Sequence, residues 1–166
     1  MRGQAEIIVF MLLFIIGVIF FSSATVWGRD IFQENVDFTN MESAEKFAKD
    51  LDNGIGSVIR FGGVREFEYP LDGTIELVDN HTIDIRTPVS LDIQQNWVNI
   101  SEGSSYIMEK KEGEDLVLRL IYPKGDYEVF IFTDSSRMSS PSYVRVEKNS
   151  TESAATTVIK IRITFV

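Results

Sequence analysis

The sequence predicts a membrane-spanning α-helix at its N-terminus, then a short amphipathic helix, and then an all-β antiparallel sandwich. Three observations predict this order: an early run without polar side chains, an apolar stripe at helical spacing after it, and a two-residue alternation through most of the remaining chain. These patterns divide the 166 residues into an anchor (1–28), a joint with the amphipathic helix (29–64) and a β domain (65–166).

The anchor is the run at residues 7–21, in which 13 of 15 side chains are Ile, Leu, Val or Phe. At about −0.3 to −0.6 kcal/mol each near the bilayer centre, these side chains favour insertion by roughly 4–8 kcal/mol. A helix from Ile7 to Trp27 would be long enough to cross the hydrocarbon layer, which needs about 20 residues. A cleaved secretory signal ending at Ser22-Ser23-Ala24 is the alternative.

The charges that flank the anchor barely distinguish its two ends. Arg2 and the amino terminus lie before the apolar run and Arg29 lies after it, so the positive-inside rule gives little preference. Six residues before the run give little reason for that end to be translocated. We therefore expect the N-terminus inside the cell and the C-terminal domain outside, in a single-pass cell-membrane protein.

The amphipathic helix is predicted to begin at Thr39, which forms a capping box with Glu42. Gly54 and Gly56 favour a break near Asn53, and Gly62-Gly63 is a typical stop. Residues 28–38 are expected to be a flexible joint or a kinked continuation of the anchor. One apolar stripe at spacings of three and four follows the cap: Met41, Ala44, Ala48, Leu51, Ile55 and Val58.

This stripe has two interpretations. It either covers one face of the chain's own sheet or packs against other subunits as a coiled coil. Fewer than three heptads is too short for a coiled-coil prediction, so we favour packing within the chain.

The β domain is predicted from alternating apolar residues and frequent turn signals, which indicate about eight short strands. That pattern is typical of an antiparallel, immunoglobulin-like sandwich. Residues 115–122 and 127–132 carry apolar side chains on both faces, which predicts two central strands. The other predicted strands are 74–78, a strand with Ile83 and Ile85, 89–93, 97–100, 106–108, 143–147 and 159–165. The last strand is expected to belong to the sheet, so truncation there should unfold the domain.

Composition argues against several classes of function. A net charge of −9 disfavours nucleic-acid binding, and the absence of cysteine excludes disulfides and thiolate chemistry. His81 is the one histidine, and no phosphate loop or hydrolase motif occurs. Residues 49–54 resemble a calcium loop only weakly, because the glycine is misplaced and the final glutamate is missing. We therefore expect no enzyme activity, cofactor, metal or small-molecule substrate.

Three Asn-X-Ser/Thr sequons occur, at Asn80, Asn99 and Asn149. About one would be expected by chance from this composition, and all three fall at predicted turns or strand ends. They are candidate N-glycosylation sites and favour an extracytoplasmic domain. Chance placement of polar turn residues explains them nearly as well.

The first residues, Met1-Arg2-Gly3-Gln4-Ala5-Glu6 followed directly by the apolar run, resemble an archaeal class III signal of type IV pilin-like surface proteins. The resemblance implies cleavage after Gly3, so that Gln4 begins the mature chain and the apolar helix packs with its copies in a filament. Residues 44–61, followed by two glycines, resemble the helical stretch that follows the anchor in such proteins. The family usually has two basic residues before the glycine and its glutamate fifth in the mature chain, whereas here Glu6 would be third.

Besides an anchored enzyme, which no constellation of residues supports, two functions stay open at this stage. One is a pilin-like subunit or minor component of a filament, whose partners are membrane lipid and then copies of itself or related proteins. The other is a permanently anchored module that contacts the cell envelope or filament machinery through its β domain.

Overall fold

A computed structural model describes residues 2–91, 93–101, 105–122, 125, 127–153 and 156–166, with side chains described from residue 7 onward. Its internal contacts divide the chain into two compact units, Met1–Val36 and Asp37–Val166. The boundaries predicted at residues 28 and 64 stay a prediction.

One long helix, α1 (Arg2–Phe61), begins the described chain. The predicted joint is helical throughout, because residues 28–38 contain a single glycine and no proline to stop a helix. Thr39 therefore does not begin a separate helix, and the predicted short helix is the last part of α1. The stretch near Asn53 does not break either.

Gly54 has a packing role that explains why the helix tolerates it. A Cβ atom built on Gly54 would lie 2.0 Å from Cζ of Phe67, so the bare glycine lets that aromatic ring contact the helix backbone. The predicted stop is confirmed: α1 ends at Phe61, and Gly62 and Gly63 take positive φ angles of 73° and 86°. The Gly62 amide donates to the Val58 carbonyl at 2.9 Å, which satisfies one of the last helical carbonyls.

Two sheets follow the helix, as the predicted sandwich requires. The first has four strands in the order β1-β9-β10-β7, and the second has six in the order β4-β5-β6-β3-β2-β8. The strands are β1 (Val64–Glu68), β2 (Thr74–Asp79), β3 (Thr82–Pro88), β4 (Val98–Asn99), β5 (Tyr106–Glu112), β6 (Asp115–Ile121), β7 (Tyr127–Thr133), β8 (Arg137–Ser139), β9 (Tyr143–Ser153) and β10 (Thr157–Phe165).

The pairing departs from an all-antiparallel arrangement at one place. β10 pairs with β7 in parallel, from Thr157 opposite Tyr127 to Ile163 opposite Thr133, while every other described pair is antiparallel. β7 also lies at a sheet edge, so its prediction as a central strand is wrong. β6 is central, as predicted.

Two further strand predictions differ from the structure. Residues 89–91 and 93 form no strand; instead the Val89 amide donates to the Glu114 carbonyl at 2.9 Å and the Ser90 amide to Asp37 Oδ2 at 3.0 Å. β8 was not predicted, because Arg137-Met138-Ser139 is short and lacks an apolar alternation. β9 extends to Ser153 through a polar segment that carries no strand signal.

The core of the second unit is formed by three elements: the two sheets and the C-terminal part of α1. Inward residues of both sheets meet the stripe of α1, in which Ala44, Ala48, Leu51, Ile55 and Val58 are buried and Met41 packs at the margin. The helix contacts the first sheet through Phe67 on β1, and Lys148 on β9 donates to the Ile59 carbonyl at 3.1 Å. It contacts the second sheet side through Tyr122, whose hydroxyl donates to Asp52 at 2.9 Å.

Candidate functional site

The first candidate is the surface of the N-terminal part of α1. The large apolar side chains of residues 7–21 are 40% to 76% exposed, and Trp27, Ile31 and Phe32 are exposed as well. This helix is long and apolar enough to span a membrane. A continuous apolar surface of this kind is costly in water and must be covered by lipid or by protein.

The predicted processing residues lie in the first turns of that helix. The backbone of Arg2, Gly3, Gln4 and Glu6 is helical, and the side chains of these residues lie outside what the structure describes. Nothing in the described geometry bears on cleavage after Gly3, which stays a prediction.

The three sequon asparagines are all exposed, and each lies in a different setting. Asn80 is in the tight turn between β2 and β3, where its backbone carbonyl accepts a hydrogen bond from the Ile131 amide at 2.8 Å. Asn99 ends the two-residue edge strand β4. Asn149 is the extra residue at a bulge in β9, since Lys148 pairs with Ile161 and Ser150 with Lys160.

His81 joins the two sheets. It lies in the β2–β3 turn, with Nε2 2.9 Å from Glu128 Oε1 on β7, and its ring meets Phe130 edge-on. Its backbone amide donates to Asp79 Oδ1 at 2.7 Å. Within the described parts of the chain, no group of three or more His, Cys, Asp or Glu side chains could hold a metal ion.

An ion-pair cluster on the outer face of the second sheet was not predicted from the sequence. Asp84 on β3 is 1% exposed and accepts two hydrogen bonds of 2.7 Å from Arg119 on β6. Those bonds, more than neighbouring charges, raise the pKa of Arg119. Trp97 covers the cluster, with Lys110 Nζ 4.7 Å and the Arg119 guanidinium 4.8 Å from its ring centroid. The signal was a charged residue between apolar neighbours in each of two strands, Asp84 and Arg119, and these become a pair only once the register is known.

The cluster is suited to holding the sheet together, since each of its charges already has an opposite partner. Arg86 pairs with Glu112 at 3.0 Å, and Lys110 with the same carboxylate at 3.3 Å. A buried carboxylate with a bidentate guanidinium is a costly pair to break and has little freedom to act as a base.

An open groove of about 410 Å³ lies between α1 and β1 in the second unit. Its floor is aromatic and its rim is mostly charged; the lining residues are Ser43, Lys46, Phe47, Asp50, Glu66, Phe67, Glu68 and Pro70. Phe47 also meets Tyr69 edge-on at 5.1 Å. The groove therefore offers an open contact surface with charged side chains around aromatic ones.

Two buried tyrosines, Tyr69 and Tyr122, have pKa values raised by their surroundings. Burial raises the pKa of Tyr69, helped by Asp72, and the Tyr69 hydroxyl has no hydrogen-bond partner among the described residues. Burial also raises the pKa of Tyr122 well above its ordinary value, and Asp52 adds to the effect. Both groups stay protonated at physiological pH, so Tyr122 acts as a donor that ties the helix to the domain.

Comparisons with known proteins give no identification: no family model, no curated protein and no solved structure matches this chain.

Proposed function

We propose that this protein is a non-catalytic, archaeal type IV pilin-like cell-surface protein that serves as a subunit or minor component of a filament. The observation that carries the proposal is one helix with two environments. Its N-terminal part exposes apolar side chains on every face, whereas its C-terminal part supplies the buried stripe of a β domain.

The N-terminal part needs two successive coverings under this proposal. Lipid covers it first, because the apolar run at residues 7–21 favours insertion by roughly 4–8 kcal/mol. Copies of the same helix cover it afterwards, once cleavage has released the chain for assembly. The β domain stays outside the cell in both states.

The segment between the two parts favours a filament subunit over a loosely tethered module. Residues 28–38 are helical, whereas a binding module on a tether is usually joined by a flexible, Gly- and Ser-rich linker. Arg2-Gly3-Gln4 supports processing, since it resembles a cleavage signal and lies two residues before the apolar run.

The polar groups of the domain support a non-catalytic role. In the ion-pair cluster, the carboxylates of Asp84 and Glu112 are paired with arginine side chains. His81 is paired with Glu128. Catalytic groups, by contrast, usually combine a perturbed pKa with a cleft that admits a substrate.

A permanently anchored module that binds the cell envelope or filament machinery is the second candidate. It is favoured by the position of Glu6, which would be third and not fifth in the mature chain, and by the single basic residue before Gly3. The groove between α1 and β1 would then be its contact surface.

The mature N-terminus separates the two candidates. We expect mass spectrometry of the protein from its own cells to find a chain that begins at Gln4, and Gly3→Val to leave Met1 in place. Ala5→Val is the matched control, since it adds the same side chain two residues later and should still yield Gln4. An intact Met1 in the natural protein would overturn processing and favour the anchored module.

The filament role has its own test. Purified surface filaments should contain this chain, and Gly3→Val should remove it from them while leaving it in the membrane fraction. Filaments that lack the natural chain would reduce it to an accessory at most.

A further inference from the structure

We infer that Asn99 is the residue of the three sequons that receives an N-linked glycan on the folded protein. The inference goes beyond the proposed filament role and shares with it only the placement of the β domain outside the cytoplasm. It begins from the local geometry of Asn99, Ile100 and Ser101.

The side chain of Asn99 is held in one orientation by its own sequon. Asn99 Oδ1 accepts from the Ser101 amide at 3.0 Å and from the Ser101 hydroxyl at 2.8 Å. Since the backbone amide can only donate, the oxygen and not the nitrogen of the Asn99 side chain must face Ser101. Among the residues that the structure describes, none accepts a hydrogen bond from Asn99 Nδ2.

The backbone at Asn99 can also leave the sheet at low cost. β4 has only two residues and lies at the sheet edge, so it is paired on one side alone. The Ile100 amide still donates to the Ile107 carbonyl at 2.8 Å, but Ser101 lies outside the strand. A modifying enzyme can therefore engage the sequon by opening very few hydrogen bonds.

The sequon at Asn80 is held by hydrogen bonds to other residues of the domain. The Thr82 hydroxyl donates to Asp79 Oδ2 at 3.1 Å, and Thr82 is only 8% exposed. The His81 amide is taken by Asp79 as well, and the Asn80 carbonyl is taken by Ile131 on β7. Asp79 thus holds the turn of this sequon in place, and the hydroxyl of Thr82 faces away from an incoming enzyme.

The sequon at Asn149 continues into a strand. Asn149 itself is unpaired at the bulge, but Ser150 pairs with Lys160 and Thr151 with Ile159 on β10. Drawing this sequon into an active site would break the end of the β9–β10 ladder. Exposure of the asparagine alone is therefore not sufficient there.

The reaction requires an activated donor, which we take to be an oligosaccharide linked through phosphate to a membrane lipid. A bond forms between Asn99 Nδ2 and the anomeric carbon of the sugar, while the bond from that carbon to the phosphate oxygen breaks. The lipid phosphate leaves with the bonding electrons, and one Nδ2 proton passes to a base of the transferring enzyme. The hydrogen bonds donated to Oδ1 stabilise negative charge on the amide as that proton is lost.

The test is glycopeptide mass spectrometry on the full protein from its own cells. We expect Asn99 to be occupied and Asn80 and Asn149 to be largely bare. Asn99→Gln and Ser101→Ala should each remove the glycan mass, whereas Ser101→Thr, which keeps the hydroxyl, should retain it. Asn80→Gln and Asn149→Gln are the matched controls and should leave the mass unchanged.

Three results would overturn the inference: a bare Asn99, a glycan carried at Asn80 or Asn149 instead, or equal occupancy of all three, which would mean transfer before folding. External protease treatment of intact cells is run beside it. If the domain is digested while Asn99 is bare, only this inference fails; if the domain is protected, its proposed location outside the cell fails.

Discussion

The two parts of α1 differ both in how much apolar surface they contain and in where they place it. Residues 7–21 carry it on every face and expose it, whereas residues 41–58 concentrate it in one stripe that the β domain buries. A helix that is apolar all round needs an apolar surrounding, while a striped helix needs only one packed face. The number of apolar side chains and their distribution together thus distinguish a surface that needs lipid or partners from one that the chain buries itself.

The largest effect is expected from charges placed in the exposed part. Leu13→Arg combined with Ile16→Arg should cost roughly 5–7 kcal/mol of membrane insertion and move the protein out of the membrane fraction. The β domain should stay folded, because both residues belong to the first unit and are exposed there. Carbonate extraction followed by limited proteolysis measures both outcomes. Retention in the membrane would show that the apolar run is not the anchor.

The second-largest effect is expected from truncating a leucine in the buried part of α1, and the same truncation in the exposed part is its control. Leu51→Ala should lower the free energy of unfolding by about 2–5 kcal/mol, because Leu51 is fully buried in the core. Leu13→Ala removes the same atoms from an exposed site and should change the free energy of unfolding by less than about 0.5 kcal/mol. Denaturant titration of the full chain in detergent, followed by Trp97 fluorescence, measures both. Equal effects would contradict the assignment of the stripe to the core.

A third comparison uses two glycines in the buried part. Gly54→Ala should cost about 1–3 kcal/mol, because its Cβ would overlap the Phe67 ring. Gly56→Ala should gain about 0.5–1 kcal/mol, since its nearest neighbour is the end of the Arg60 side chain at 3.5 Å. The same titration distinguishes them by sign. A gain for both would show that Phe67 does not depend on the bare glycine.

The smallest effect is a pH dependence where the domain meets the helix. Burial, and then the Glu45 carboxylate, raise the pKa of Glu109, while Lys49 opposes the shift. The folded state therefore binds this proton at a higher pH than the unfolded chain, and the contribution of Glu109 to stability falls as pH rises through that window. Glu109→Gln should become more stable relative to the natural protein as pH rises from 4 to 7.

Glu112 is the matched carboxylate with the opposite sign. Hydrogen bonds from Arg86 and Lys110 lower the pKa of Glu112, so its stabilising effect is present above the ordinary glutamate pKa and is lost as pH falls through the lowered value. Glu112→Gln should therefore be less stable than the natural protein at neutral pH and equal to it in acid. Parallel slopes for the two variants would contradict these environments.

The sequence predicted the parts of the molecule that depend on local pattern. The apolar run, the stripe and the glycine stop of α1 follow from residues within a few turns of one another. The sheet order could not be predicted in this way, because it depends on contacts between distant segments. β7 shows the difficulty: apolar residues on both faces indicated a central strand, yet Arg162 packs 5.6 Å from the Phe132 ring and His81 covers Phe130. Side chains, not further strands, cover its outer face.

The candidate sites, too, could be predicted from local pattern only in part. Asn80, Asn99 and Asn149 could be located by motif, but their different hydrogen bonding required the register of β4, β9 and the β2–β3 turn. Asp84 and Arg119 lie 35 positions apart and could be paired only from the structure. Gly54 was interpreted as a helix breaker, because its close neighbour Phe67 lies beyond the end of the helix.

The parallel pairing of β10 with β7 has a consequence for how the domain forms. β10 is the link between β7 and the β1–β9 pair, and no other strand joins them within the first sheet. Between β7 and β10 the chain first supplies β8 to the opposite sheet and then returns as β9. The first sheet can therefore close only when residues 157–165 pair with both β9 and β7. During synthesis the first sheet stays incomplete until this last strand arrives, which makes the interval before its arrival the period in which the growing chain most needs protection from aggregation.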